Sequence, residues 1–159
     1  MIAIGCDHGG FELKEEIVKH LKERGTEYKD FGIYENKSVD YPEIALKVSL
    51  AVQSGETERG ILVCGTGIGM SLAANKVNGI RCATCSEPYS ASLSRRHNDT
   101  NMLAFGSRVV GIELAKMIVY EWLTSEFEGG RHRKRVTMIC EIEKKQVAKL
   151  ATKGEKNEY

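Results

Sequence analysis

The chain has 159 residues, 42% of them hydrophobic and 28% charged, with only two prolines, which suits one folded domain and excludes a disordered chain. Lysine and arginine number 23 against 22 acids, a formal net charge of +1, so a nucleic-acid or anionic-membrane partner would need a strong local patch. No apolar run is long enough to cross a bilayer, the N-terminus lacks a secretion-type signal, and five irregularly spaced cysteines make a poor disulfide framework, so the cytoplasm is the expected compartment.

Ile2 to Gly5 reads as a strand, broken by Asp7-His8-Gly9-Gly10, after which Leu13, Ile17, Val18 and Leu21 recur at helical spacing. Thr26 to Phe31 is a more polar strand suited to a sheet edge. Pro42 opens a helix whose apolar face carries Ala45, Val48 and Val52 and which ends before Gly55. Gly60 to Cys64 is continuously apolar, as in a strand covered on both sides, and the loop Gly65 to Gly69 leads into a short helix over Met70 to Asn75. Ile80 to Thr84 and Met102 to Phe105 are further strands, separated by a helix over Glu87 to Arg96 with Pro88 in its first turn. Ile112 to Leu123 is a helix with Ala115, Ile118, Val119 and Trp122 as its buried stripe. Beyond Gly129-Gly130, residues 136 to about 150 read as a last helix, and 151 to 159 as a flexible polar tail on a single domain of residues 1–150.

Five strands alternating with helices predict a three-layer α/β domain with a mainly parallel sheet. Ligands of such sheets sit beyond the carboxyl ends of the strands, where strand order reverses. If the first and third strands are neighbours, Asp7-His8 and the Cys64–Gly69 loop meet there.

Gly65-Thr66-Gly67-Ile68-Gly69 places three glycines at alternate positions ahead of a helix. Such a loop turns tightly and aims several N–H groups at one point, where a phosphate or a developing oxyanion is stabilised. A tight turn alone would also account for it, but neither the dinucleotide nor the Walker spacing is present. Cys64 sits at the junction of strand and loop. It is either a small core hydrophobe or a thiol whose reactive thiolate the following amides favour. Asp7 suits a helix cap or a contact to hydroxyls, and His8 a contact to phosphate. His97 ends a helix, where capping competes with acid–base work. The run Arg131-His132-Arg133-Lys134-Arg135 is either a solvated surface or an anion site. Cys82 and Cys85 have C-x-x-C spacing without a second pair and read as packing residues, and His8, His20, His97 and His132 are too scattered to show a metal site.

Four stretches in this order carry a family resemblance: Ile4-Gly5-Cys6-Asp7-His8-Gly9-Gly10-Phe11; Cys64 to Gly69; Cys85-Ser86-Glu87-Pro88-Tyr89-Ser90-Ala91 running on to Arg96-His97-Asn98-Asp99-Thr100-Asn101; and Phe105-Gly106-Ser107-Arg108. Over about residues 1 to 145 the chain resembles the type B ribose-5-phosphate isomerases. The resemblance implies an enzyme without metal or cofactor that interconverts D-ribose 5-phosphate and D-ribulose 5-phosphate through a cis-enediolate. It also implies a Rossmann-like fold and a homodimer, sometimes a tetramer, with no nucleic-acid or membrane partner.

Carried onto this sequence, the resemblance makes Cys64 the base that takes the C2 proton and returns it to C1. Thr66 and the amides of Gly65, Gly67, Ile68, Gly69 and Met70 hold the enediolate oxygens, and Asp7 binds or relays protons among the hydroxyls. His97 opens the furanose ring with Asn98 beside it, Tyr41 contacts the sugar, and His8, Arg108, Arg131 and Arg135 take the phosphate. Galactose-6-phosphate or allose-6-phosphate isomerisation is the alternative within the same chemistry, and a non-catalytic sugar-phosphate or nucleotide-binding module is the alternative outside it. The last helix has an apolar face although the sheet is already complete, so it covers either its own domain or a second subunit. In the second case Arg131 and Arg135 serve the partner's site.

Overall fold

The computed structural model describes the backbone of residues 1–154 and the side chains of residues 1–149. The elements run β1 (Ile2–Cys6), α1 (Phe11–Glu23), β2 (Tyr28–Asp30), α2 (Tyr41–Gln53), β3 (Arg59–Cys64), α3 (Ile68–Ala74), β4 (Cys82–Thr84), α4 (Pro88–Asn98), β5 (Met102–Gly106), α5 (Ile112–Thr124) and α6 (Gly130–Gly154). The five strands form one sheet in the order β2-β1-β3-β5-β4, and every pairing is parallel. β1 and β5 are buried throughout and β3 at every position but Arg59. Their unbroken apolar sequences follow from helices covering both faces. The edge strands β2 and β4 have three residues each, which leaves little unpaired backbone for another chain to join.

Helices α2 and α3 pack together on one face, and α1, α4 and α5 on the other. The expected stripe of α5 is fully buried at Ala115, Ile118, Val119 and Trp122, and the Trp122 indole N–H donates to Thr100 Oγ1 at 2.9 Å. No helix among the described residues is long and apolar enough to cross a membrane.

Lys14 departs from the apolar pattern of α1, since it is completely buried beside Leu13 and Ile17. Its ammonium lies 2.6 Å from Asp30 and 2.6 Å from Glu15, and it donates to the Ile33 carbonyl at 3.2 Å. It therefore ties α1 to the end of β2 and to the segment leading towards Tyr41. Burial lowers its pKa, but the hydrogen bonds to Asp30 and Glu15 outweigh burial and raise it above 10.5. A cation whose pKa is higher folded than unfolded contributes stability below the unfolded value of about 10.4 and loses it as pH rises through the folded value. Lys14→Met leaves the Asp30 carboxylate without its cation, so a loss of about 1–3 kcal/mol is expected at pH 7. Denaturant titrations at pH 7 and above pH 10.4 check this, the difference between the two proteins shrinking at the higher pH.

α6 begins six residues before the predicted start at 136, so the basic run forms its first turns. Cations at a helix N-terminus oppose the helix dipole, and the sequence pattern therefore points to a later start. Met138, Ile139, Ile142 and Val147 on this helix are 44–61% exposed, although Glu143 accepts from the Gly79 N–H at 3.0 Å. The helix thus touches its own domain while leaving apolar surface uncovered. It continues to Gly154, and the last five residues of the expected tail lie outside the described residues.

Candidate active site

Because β1 and β3 are neighbours, the two loops predicted to converge do so. A cavity of about 280 Å³ at the carboxyl ends of these strands is lined by Asp7, His8, Tyr41, Cys64, Gly65, Thr66, Gly69 and Arg108, with Gly9 between the histidine and the loop. Asp7 caps a single 3-10 turn, its Oδ1 accepting from the Gly10 N–H at 3.0 Å, and it still borders the cavity. Asp7 thus combines the expected capping bond with a place in the cavity wall.

Cys64 ends β3 and is 5% exposed. Its Sγ accepts the Gly67 N–H at 3.0 Å, a charge-assisted contact when the sulfur is a thiolate. Gly67 has φ +80°, and a Cβ there would come within 2.8 Å of the Phe105 backbone, so the loop can deliver that amide only with glycine at this position. The first amides of α3, at Ile68, Gly69 and Met70, have no carbonyl a turn earlier to bond. Ile68 N–H turns to Thr66 Oγ1 at 3.3 Å. Met70 keeps only its amide for a ligand, because its side chain is fully buried in the core. Tyr41 opens α2 with its ring against Gly69, where a Cβ would lie 2.8 Å from the ring.

The end of β5 locks these pieces together. Ser107 N–H donates to the Cys64 carbonyl at 2.8 Å and Arg108 N–H to the Gly65 carbonyl at 3.1 Å, while Ser107 Oγ donates to the Gly9 carbonyl. Sequence reasoning missed Ser107, whose contacts join segments 98 positions apart. Three cysteines outside the site are quiet thiols: burial pushes Cys6 and Cys85 up to about 11 and Cys82 higher still, as suits packing residues.

His97, Asn98, Arg131 and Arg135 are not part of this cavity. α4 runs back along the sheet and ends where β5 begins. Gly60 faces Met102 and Cys64 faces Gly106, four steps of about 3.3 Å, so the two ends of these strands are about 13 Å apart. His97 lies beyond the far end, stacked on His132 at 4.1 Å with the rings 3° from parallel. Asn98 uses its carbonyl to accept from Arg81 at 3.2 Å. Both histidines face Glu128, whose Oε1 is held by Arg96 at 2.5 Å. Histidines too scattered in sequence to suggest a cluster are thus brought together by the Gly129-Gly130 turn, both glycines having positive φ.

A parallel α/β domain with a thiol, an amide-rich loop and the Arg108 guanidinium at its topological switch point defines an enzyme-like site for a small anionic ligand. The family model described as Ribose/Galactose Isomerase matches residues 2–139, and the chain belongs to that family. It is 62% identical over 144 residues to ribose-5-phosphate isomerase B of Escherichia coli (strain K12), covering 91% of this chain and 97% of the relative. A solved structure of Clostridium thermocellum ribose-5-phosphate isomerase B superposes with a TM-score of 0.90 at 60% identity, covering 91% of this chain and 98% of that one. A D-erythrulose-4-phosphate isomerase of Pectobacterium atrosepticum is 44% identical, over 87% of this chain and 91% of its own.

Proposed function

We propose that this chain is a sugar-phosphate isomerase interconverting D-ribose 5-phosphate and D-ribulose 5-phosphate by proton transfer through a cis-enediolate. The observation that carries this reading is Cys64 at the cavity wall, held by the Gly67 amide and next to a loop able to stabilise an enediolate oxygen. Cys64 takes the C2 proton and returns it to C1. Thr66 and the amides of residues 65 and 67–70 hold the oxygens as negative charge develops, and loss of one such donor typically costs about 2.7–4 kcal/mol. Asp7 and Tyr41 contact the hydroxyls, and His8 and Arg108 take the phosphate.

His97, Asn98, Arg131 and Arg135 belong to the same chemistry from a second subunit. They lie across the sheet from the cavity of their own chain, on or beside the helix whose apolar face is uncovered, and a two-fold dimer brings one subunit's set to the other's cavity. In that arrangement His97 opens the furanose ring and the arginines close on the phosphate. Residues 1–150 act as one domain, and a reducing cytoplasm fits five cysteines that are all free.

Comparison of turnover on ribose 5-phosphate, galactose 6-phosphate and allose 6-phosphate tests the assignment. The expected result is a kcat/KM at least about tenfold higher for the pentose phosphate, equivalent to about 1.4 kcal/mol of transition-state discrimination. A preference for either hexose phosphate would move the chain to the six-carbon reading, and no turnover of any of the three would favour a binding module.

A further inference from the structure

The contact between α4 and α6 carries more than a ring-opening histidine. His97 Nε2 and His132 Nε2 both face Glu128 Oε2, at 3.6 and 3.7 Å, and the three potential ligand atoms lie within 4.8 Å of one another. We propose that His97, Glu128 and His132 form a binding site for Zn²⁺, and that its occupation inhibits the enzyme by withdrawing His97 from the sugar.

Two imidazoles and one carboxylate are a donor set suited to zinc and poorly suited to the hard cations Mg²⁺ and Ca²⁺, which take oxygen. The surroundings prepare each ligand. Arg96 holds Glu128 Oε1 at 2.5 and 2.7 Å, leaving Oε2 turned to the rings, and the same contact keeps the carboxyl below its ordinary range and ionised. His132 is 6% exposed and stacked on His97 at 4.1 Å, so its ring is held with Nε2 towards Glu128.

Zinc bonded at about 2.0–2.1 Å in a tetrahedron sets neighbouring ligands about 3.3 Å apart, so Oε2 has to approach each nitrogen by a few tenths of an ångström. The two ring nitrogens, which lie within 4.8 Å of each other in the stacked arrangement, must also tilt towards one another to about 3.3 Å, and Arg131 Nε must leave its 3.4 Å contact with His132 Nε2. Three protein ligands leave a fourth position for water. Glu128 lies in the segment just before α6, its N–H bonded to the Arg96 carbonyl at 3.0 Å, so it stands between His97 on α4 and His132 in the first turn of α6.

The binding claim is independent of the isomerase assignment, whereas the inhibition claim rests on His97 as the ring-opening group. Zinc titrated into the full-length, chelator-stripped protein, and read by competition with a chromogenic chelator, should bind at one equivalent per chain. Cys64→Ala should bind equally well. His132→Asn and Glu128→Gln should each lose more than about tenfold in affinity, since even outer-shell losses cost that much, with circular dichroism and oligomeric state unchanged. Co²⁺ in place of zinc should give ligand-field absorption without a thiolate charge-transfer band.

Unchanged affinity in both variants, loss of binding in Cys64→Ala, or a thiolate–cobalt band would overturn the site. If zinc binds as described but ribose 5-phosphate turnover does not fall with occupancy, the inhibitory role of the site is refuted and the assignment of His97 falls with it. If no substrate is turned over at all, the zinc site still stands on the binding data.

Discussion

Replacing Cys64 by alanine should lower kcat by about 10²–10⁴-fold, the usual contribution of a positioned acid–base group, while leaving KM within a few-fold of the original. On the proposed mechanism the two parameters separate because the thiol would act on the C2 proton, whereas the phosphate would be held by other groups, among them His8 and Arg108, which line the same cavity. Fold stability should change little, since Cys64→Ala removes one small side chain and leaves the Ser107 N–H to Cys64 carbonyl bond in place. Steady-state kinetics with a thermal melt check both halves. Activity retained within about threefold of the original would remove Cys64 from the role of base.

A second large effect follows from the separation of the two residue groups. Cys64→Ala and Arg135→Ala should each be nearly inactive alone, yet regain activity when mixed under conditions that exchange subunits. In a mixed dimer with sites shared across the interface, one site carries both lesions and the other carries neither. Equal amounts pairing at random make about half of the dimers mixed, so up to about a quarter of all sites should become active. His97→Asn mixed with Cys64→Ala should behave in the same way, because His97 is also beyond the far end of the strands. Absence of recovery, with mixed dimers confirmed by native mass, would show that these residues act within their own chain or not at all.

The sequence made the inner sheet legible because burial on both faces leaves an unmistakable residue pattern. Ile2–Cys6, Ile61–Cys64 and Met102–Gly106 are apolar or glycine at every position, and all three strands lie at the centre of the sheet. The alternate glycines of the 65–69 loop were equally readable, since positive φ at Gly67 and the tight approach of Gly69 to Tyr41 leave few other choices. Lys14 was hidden by its type: a lysine on an apolar helix face shows neither that it is buried nor that Asp30 and Glu15 neutralise it. The start of α6 was hidden by charge, because Arg131 to Arg135 oppose the dipole of the helix they begin. Glu128 was hidden by distance, since its meeting with His97 depends on its N–H bonding the Arg96 carbonyl, 32 positions away along the chain.

The site was therefore legible as a set of residue types but not as a set of places. The family resemblance placed His97, Arg131 and Arg135 in the same set as Cys64. Only the parallel register of β3 and β5 shows that a strand's length separates them within one subunit. The proposed second copy of the chain would resolve that separation and cover the exposed apolar face of α6.

Proton transfer by Cys64 is tested most directly by isomerising ribose 5-phosphate in deuterium oxide and locating the label in the ribulose 5-phosphate formed. A thiol shared with solvent between abstraction and return should leave deuterium at C1 of the product, accumulating over repeated reversible turnovers, and Cys64→Ala should slow turnover and exchange together by about 10²–10⁴-fold. Product formed without deuterium after many turnovers, or exchange in Cys64→Ala within about threefold of the original rate, would contradict an enediolate route with Cys64 as its base.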